Sequence, residues 1–301
     1  MHPLKRLSHT YTPQGQPGFL GPGHIARSVI QTDFSHSDPF ILLMDDILDK
    51  KDYSPAGGPH PHVGFETVTL VLEGHFGEGE HQMNAGDFEM MTAGSGIVHT
   101  ETIAQPTKLR LLQLWLNLPK KARWATPRLQ RMNAEFVPTV ITPGGRIKVY
   151  SGSFAGVTSP VQNYTPFVLS HITLNAGGSL REGIAGKYRT FMYVLNGRVG
   201  IGEEGHVVNS GEVVWFELSN EEIEDVQLLA LQERVELVMY AAEPQNHSIV
   251  SHGPFIADSM DEIKRLYSEY RNGRIAHIND GQDQRITYEL MEKIKRHGNR
   301  N

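Results

Sequence analysis

Two short doublets hold the residues best suited to chemistry: His60-Pro61-His62, and His99-Thr100-Glu101, which begins 37 residues after His62. On a β-strand, residues i and i+2 project from one face, so each doublet can present two ligand atoms to one point. Three imidazoles and a carboxylate would then converge on a divalent metal. That set occupies four positions of an octahedral ion and leaves room for a substrate oxygen, water or dioxygen, the arrangement redox-active iron sites use. Mn, Ni, Cu and Zn suit the same donors, because affinity alone discriminates poorly among these ions. The remaining histidines, including His36, His75, His81, His206 and His247, lack such spacing and read as ordinary surface or core residues.

A second glutamate competes for the carboxylate position. His60-x-His62-x-x-x-Glu66 keeps one parity along a strand, so Glu66 as well as Glu101 is a candidate. Glu101 is favoured because only one pleat separates it from His99. Glu66 then reads as an acceptor that orients an imidazole N–H.

Composition narrows the setting. The 301 residues are 39% hydrophobic and 21% charged, a globular balance with length for two domains. The absence of cysteine excludes disulfides, thiolate ligands, iron–sulfur clusters and a cysteine nucleophile, so only N and O donors remain for a metal. A net charge of -6 gives no general attraction to nucleic acid; Lys120-Lys121-Ala122-Arg123 and the tail from Lys293 to Arg300 read as solvated surface. No apolar run approaches the roughly 18 to 20 residues of a membrane span, and Met1 to Thr10 lacks the apolar centre of a secretory signal. The expectation is a cytoplasmic protein that binds neither membrane nor nucleic acid. No G-x-S-x-G elbow or P-loop is present, and Gly177-Gly178 sits in a β-turn context without a phosphate-cradling helix.

The elements that must position the doublets are short strands punctuated by glycine turns, as in a sandwich or barrel. The pattern occurs twice. Val71-Leu72-Glu73-Gly74 is echoed by Val194-Leu195-Asn196-Gly197, and Asn84-Ala85-Gly86-Asp87 by Asn209-Ser210-Gly211-Glu212, at offsets of 123 and 125 residues. A duplicated β-domain follows. The expected partition is an N-terminal metal-binding domain over 1–140, a second β-domain over 141–245 and a helical tail over 246–301. At the same offsets the candidate ligands fall near Gly183, Ala185, Arg189, Glu224 and Val226, so the second copy lacks them. Asn117 to Pro138, with three prolines, reads as a surface connector. Ser259-x-x-Glu262 is a capping box ahead of Ile263, Leu266, Tyr267 and Tyr270, which predicts one amphipathic helix ending near Asn272-Gly273. A weaker helical pattern runs through Ile286, Leu290 and Ile294.

Three segments resemble the pirin family of the cupin superfamily: Pro59 to Thr69, Gly86 to Glu101, and Leu114-Trp115-Leu116-Asn117-Leu118-Pro119. Gly253-Pro254-Phe255 and Tyr270-Arg271-Asn272-Gly273 are similar to that family's closing segment, so the likeness spans most of residues 25 to 275. The resemblance implies an all-β bicupin, two double-stranded β-helix barrels with short C-terminal helices, and Fe(II) in the first barrel at His60, His62, His99 and Glu101. Two features depart from the family. Val63 stands where arginine is common, which predicts a less basic site mouth, and the chain runs 28 residues past Gly273.

By that resemblance the expected activity is a quercetin 2,3-dioxygenase-like oxidation of flavonols or related small phenolic compounds. Dioxygen is consumed, carbon monoxide is released, and Glu101 is the catalytic acceptor of the substrate's hydroxyl proton. A reading from another class is an iron-containing redox-sensing regulator that binds a protein partner without turnover.

Overall fold

The computed structural model of the chain describes residues 2–77, 79–278 and 283–287. Strands dominate it, with two α-helices among the described residues, Phe34–Ser37 and Met260–Arg271. No helix among them is long and apolar enough to cross a membrane.

The duplicated turns are duplicated in structure. Gly74 and Gly197 adopt φ of +75° and +79°, and a Cβ on either would collide with a carbonyl oxygen, that of Lys108 at 1.8 Å or of Arg234 at 2.4 Å. The N–H of Gly86 donates to Val71 O, and that of Gly211 to Val194 O, each at 2.8 Å. In both turns the acidic side chain accepts from the Asn backbone N–H, Asp87 from Asn84 at 2.8 Å and Glu212 from Asn209 at 2.6 Å.

The chain packs into two compact units. One comprises Gln14–Phe136 with the described residues from Gln245 onward. Its eight-stranded sheet runs in the order Gly15–Pro17, His24–Ser28, Phe40–Lys50, Thr107–Asn117, Phe65–Glu73, Phe88–Thr92, Arg128–Met132 and Asp283–Arg285. Against it stands the two-stranded pair Pro59–His62 and Ile97–Thr100. The other unit comprises Met1–Pro13 and Val137–Pro244, with a seven-stranded and a four-stranded sheet around an aliphatic core that includes Ile147, Ile172, Val194, Val214, Val226 and Leu237.

The packing therefore departs from the linear partition 1–140, 141–245 and 246–301 at both ends. Strand edges explain it, because an unpaired edge leaves backbone groups without partners. Leu7–Tyr11 adds to Val213–Phe216, and the segment after residue 245 bridges back to the first unit at Val63↔Phe255 and Val98↔His277.

Half of the capping box forms as expected, with Ser259 Oγ accepting from Glu262 N at 3.3 Å; Glu262 Oε2 accepts instead from Asp258 N at 2.9 Å, one residue before the cap, and Ile263 and Leu266 are buried. Ile286 is buried just after the strand Asp283–Arg285, while Leu290 and Ile294 lie outside the described residues.

The segment Asn117 to Pro138 corrects the expectation of a surface connector. Lys120 and Lys121 are exposed, but Arg123 is fully buried and donates to Gly64 O, Asn117 Oδ1 and Asp258 Oδ1. A buried guanidinium is tolerated only with such partners. Beyond it, Arg128–Met132 is a sheet strand paired with Phe88–Thr92. Val63 departs from expectation as well. It lies at no mouth but is fully buried in an apolar cluster with Val98, Phe255, Ile263 and Leu266.

Candidate metal centre

Antiparallel pairing of Pro59–His62 with Ile97–Thr100 sets His60 directly opposite His99 and His62 opposite Ile97. Strand alternation puts His60 and His62 on one face, and the register brings His99 to it. The ring centroids are 4.8 Å apart for His60 and His62, 4.4 Å for His60 and His99, and 4.9 Å for His62 and His99. One nitrogen of each ring lies within 4.8 Å of the others, and among the described residues no second group of three metal-binding side chains comes together.

The donor set fits a divalent ion. His60 Nδ1 is 2.7 Å from Gly58 O, so it donates there and its Nε2 keeps a lone pair. That Nε2 is 2.9 Å from His99 Nε2. Two nitrogens each about 2.1 Å from one ion and at right angles to each other would be about 3 Å apart. His62 Nδ1 is buried and has no close hydrogen-bond partner among the described residues, although the Pro254 backbone lies near enough to the ring to oppose the fall in its pKa. Burial holds His62 well below its ordinary pKa, with the neighbouring imidazoles His99 and His60 adding to the effect. Burial likewise pulls His99 down to about 4, reinforced by His60. Both rings are neutral at pH 7, the state a metal requires.

Glu101 stands at the edge of this group. Its Oε2 is 3.8 Å from His60 Nε2, and its Oε1 accepts from Gln113 Nε2 at 3.1 Å. Burial raises its pKa, against the lowering effects of His60 and the Gln113 hydrogen bond. Gly57 backs it at φ +76°, with the Glu101 carbonyl oxygen 2.5 Å from where a Cβ would be.

Glu66 does not orient an imidazole. The expected parity breaks at Gly64, whose φ of +89° separates the strand of His62 from Phe65–Glu73. Phe65 then faces His62, at 5.1 Å between rings, and Glu66 projects from the opposite face. There it is fully buried, accepts from Thr92 Oγ1 at 2.7 Å, and has its pKa raised by burial to about 7.

Several contributors escaped the sequence reading. Trp115 packs edge-on against His62 at 5.2 Å and against Phe65 at 4.3 Å. A cavity of about 570 Å³ opens beside the cluster, lined by His99, Glu101, Glu89, Met91, Leu129 and Arg131 among others. His81, expected to be unremarkable, lines it too. Glu89 and Met91 alternate on one strand, and Leu129 and Arg131 on the next, which is the signal that could have found them. It was hidden because Pro119 and Pro127 mark that segment as a connector.

In the second unit the positions matched to the ligands carry no imidazole. Val226 belongs to the aliphatic core, and Glu224 accepts from buried Lys5 Nζ at 2.9 Å.

Two β units of repeated design, one of them gathering three imidazoles beside a cavity, define a bicupin. The chain belongs to the pirin family: the Pirin family model matches residues 24–116 and that of the Pirin C-terminal cupin domain matches 169–276. It is 32% identical to a pirin of Mus musculus over 267 residues, which are 83% of this chain and 87% of that one. It is 30% identical to a putative quercetin 2,3-dioxygenase of Pseudomonas aeruginosa over 278 residues, 85% of this chain and 93% of that one. Among solved structures, a quercetin 2,3-dioxygenase from Acinetobacter baumannii shares the fold at a TM-score of 0.78 and 21% identity, over 90% of this chain and 98% of that one. A bacterial pirin from Escherichia coli in complex with nickel(II) does so at 0.56 and 19%, over 78% of this chain and 99% of that one.

Proposed function

We propose that the chain is a metal-dependent dioxygenase acting on flavonols such as quercetin or related phenolic compounds, with Fe(II) as the working metal. The observation that carries this reading is the convergence of His60, His62 and His99, with Glu101 3.8 Å from His60, beside a cavity of about 570 Å³ whose lining includes His99 and Glu101. The three histidines and Glu101 would hold the ion. When bound, it supplies a Lewis acid that lowers the pKa of a coordinated hydroxyl, and the redox partner for dioxygen.

The chain's own residues do the rest. Glu101, with its raised pKa, is suited to accept the proton of a phenolic or enolic hydroxyl, and Gln113 holds its other oxygen in place. Trp115 and Phe65 fix the ring of His62 and exclude water behind it. Met91 and Leu129 offer the cavity an apolar wall for a flat ring, as ligand sites of this size commonly do. The nickel(II) in the Escherichia coli relative supports a divalent metal at this site, and the putative dioxygenase name of the Pseudomonas relative supports the reaction class.

The test is oxygen uptake with a flavonol by iron-loaded and metal-free protein. Turnover confined to the loaded sample is expected. Iron bound at full stoichiometry with no turnover would overturn the enzyme reading and leave a metal-containing regulatory protein.

A further inference from the structure

The cavity beside the histidines has a second polar pole. Arg131 donates from Nε to Glu89 Oε2 at 2.7 Å and from Nη1 to Asp283 Oδ2 at 2.9 Å, and the same Nη1 lies 2.6 Å from His81 Nδ1. All four side chains line the cavity that His99 and Glu101 also line. Asp283 reaches it from the strand Asp283–Arg285, which pairs in parallel with Leu129, Gln130 and Arg131 and is continued by a hydrogen bond from Ile286 N to Arg131 O at 2.8 Å.

Nη2 of Arg131 makes no hydrogen bond among the described residues, and its side chain remains 17% exposed. A guanidinium flanked by two carboxylates has its charge compensated, yet its planar fork stays locked and presents the free edge as a directed donor. The same carboxylates repel an anion brought to that edge. An uncharged oxygen, hydroxyl or carbonyl, is the acceptor that fits.

We propose that Arg131 is a substrate-positioning residue, set by Glu89 and by Asp283 from the C-terminal strand. It hydrogen-bonds an uncharged oxygen at the end of a flat polyphenol remote from Glu101. This rests on the reading of the cavity as a phenol site and adds which end of the substrate is selected and by what.

The experiment compares quercetin, which carries two hydroxyls on its pendant phenyl ring, with galangin, which has none on that ring and is otherwise the same. Dissociation constants by tryptophan fluorescence quenching and KM by oxygen uptake are measured on the metal-loaded full chain. The wild type is expected to favour quercetin about tenfold, the worth of one hydrogen bond to a charged donor. Arg131→Met erases that preference by weakening quercetin toward the galangin value, with the loss in KM more than in kcat. Asp283→Asn, which keeps the side chain's shape, reduces the preference about threefold and decides the matter if Arg131→Met does not fold. Equal weakening of both compounds, or a preference intact in Asp283→Asn and Arg131→Met, overturns the proposal. A binding preference without oxygen consumption sinks the dioxygenase reading and leaves this one standing; turnover without preference does the reverse.

Discussion

His60 and His99 face each other across an antiparallel strand pair with their Nε2 atoms 2.9 Å apart. Two imidazole nitrogens at that distance either share one proton or share a metal ion. The Nδ1 of His60, tied to Gly58 O, assigns its Nε2 the acceptor role in either case.

Loss of either ring should therefore cost the metal. In His60→Ala and in His99→Ala, affinity is expected to fall by about 100-fold or more, beyond the effect usual for residues that only orient a ligand. Elemental analysis of protein purified without added metal reads this directly. Full metal content in both variants would show that the ion, if any, sits elsewhere.

Glu101→Gln keeps the side chain's size but removes the acceptor for a substrate proton. Oxygen uptake with a flavonol should drop by about 10² to 10⁴. Metal content measured on the same samples separates a lost base from a lost ligand.

Gly57 lies at φ +76° with the Glu101 carbonyl oxygen where a Cβ would go. Gly57→Ala should displace Glu101 and cost about 1 to 3 kcal/mol in strain. Denaturant unfolding gives the stability, and activity should fall by more than the same substitution causes at Gly156, which has open space around it.

Fully buried Glu66 and half-buried His171 make stability depend on pH with opposite signs. Glu66 has its pKa raised to about 7 by burial, above its ordinary value of 4.5, so its contribution is whole below about pH 4.5 and is lost as pH rises through about 7. A shift of that size corresponds to roughly 3 kcal/mol. Glu66→Gln should flatten that decline and leave the protein more stable than the wild type at pH 8, as followed by thermal melts across pH. A decline of equal slope in the variant would assign it to another group.

His171 runs the other way. Burial, with Lys148, Arg146 and Arg234 nearby, lowers its pKa from 6.5 to about 4, so the native state holds it neutral. The unfolded chain binds the extra proton between those values, and stability present above about pH 6.5 is lost as pH falls toward 4. Its Nε2 takes no hydrogen bond, so His171→Leu sacrifices none there and should move the acid-unfolding midpoint to lower pH. An unchanged midpoint would refute the assignment.

Much of the site was legible because it is written in strand periodicity. His60, His62 and His99 could be grouped from spacing alone, since a pleat sends alternate residues to one face and a cross-strand register joins two such faces. The duplicated turns were legible for a similar reason: Gly74 and Gly197 are required by the same carbonyl approach in each copy. Glu66 was misread because parity counts hold only within one unbroken strand, and Gly64 breaks it. Arg123 and Arg131 were missed because a basic residue among prolines has the composition of surface, and only packing reveals that it is enclosed.

The sequence by itself determined the all-β class, the two copies, the family and the candidate metal ligands, because these follow from local periodicity, turn chemistry and residue type. Tertiary structure alone decided that Met1–Pro13 joins the second unit and the described residues from Gln245 onward join the first. It also decided that Glu66 faces away, and that Arg131, Glu89 and Asp283 meet beside His99. Those facts depend on which distant strands satisfy each other's edges, a choice made by the backbone hydrogen bonds and burial of the whole chain rather than by any one stretch of it.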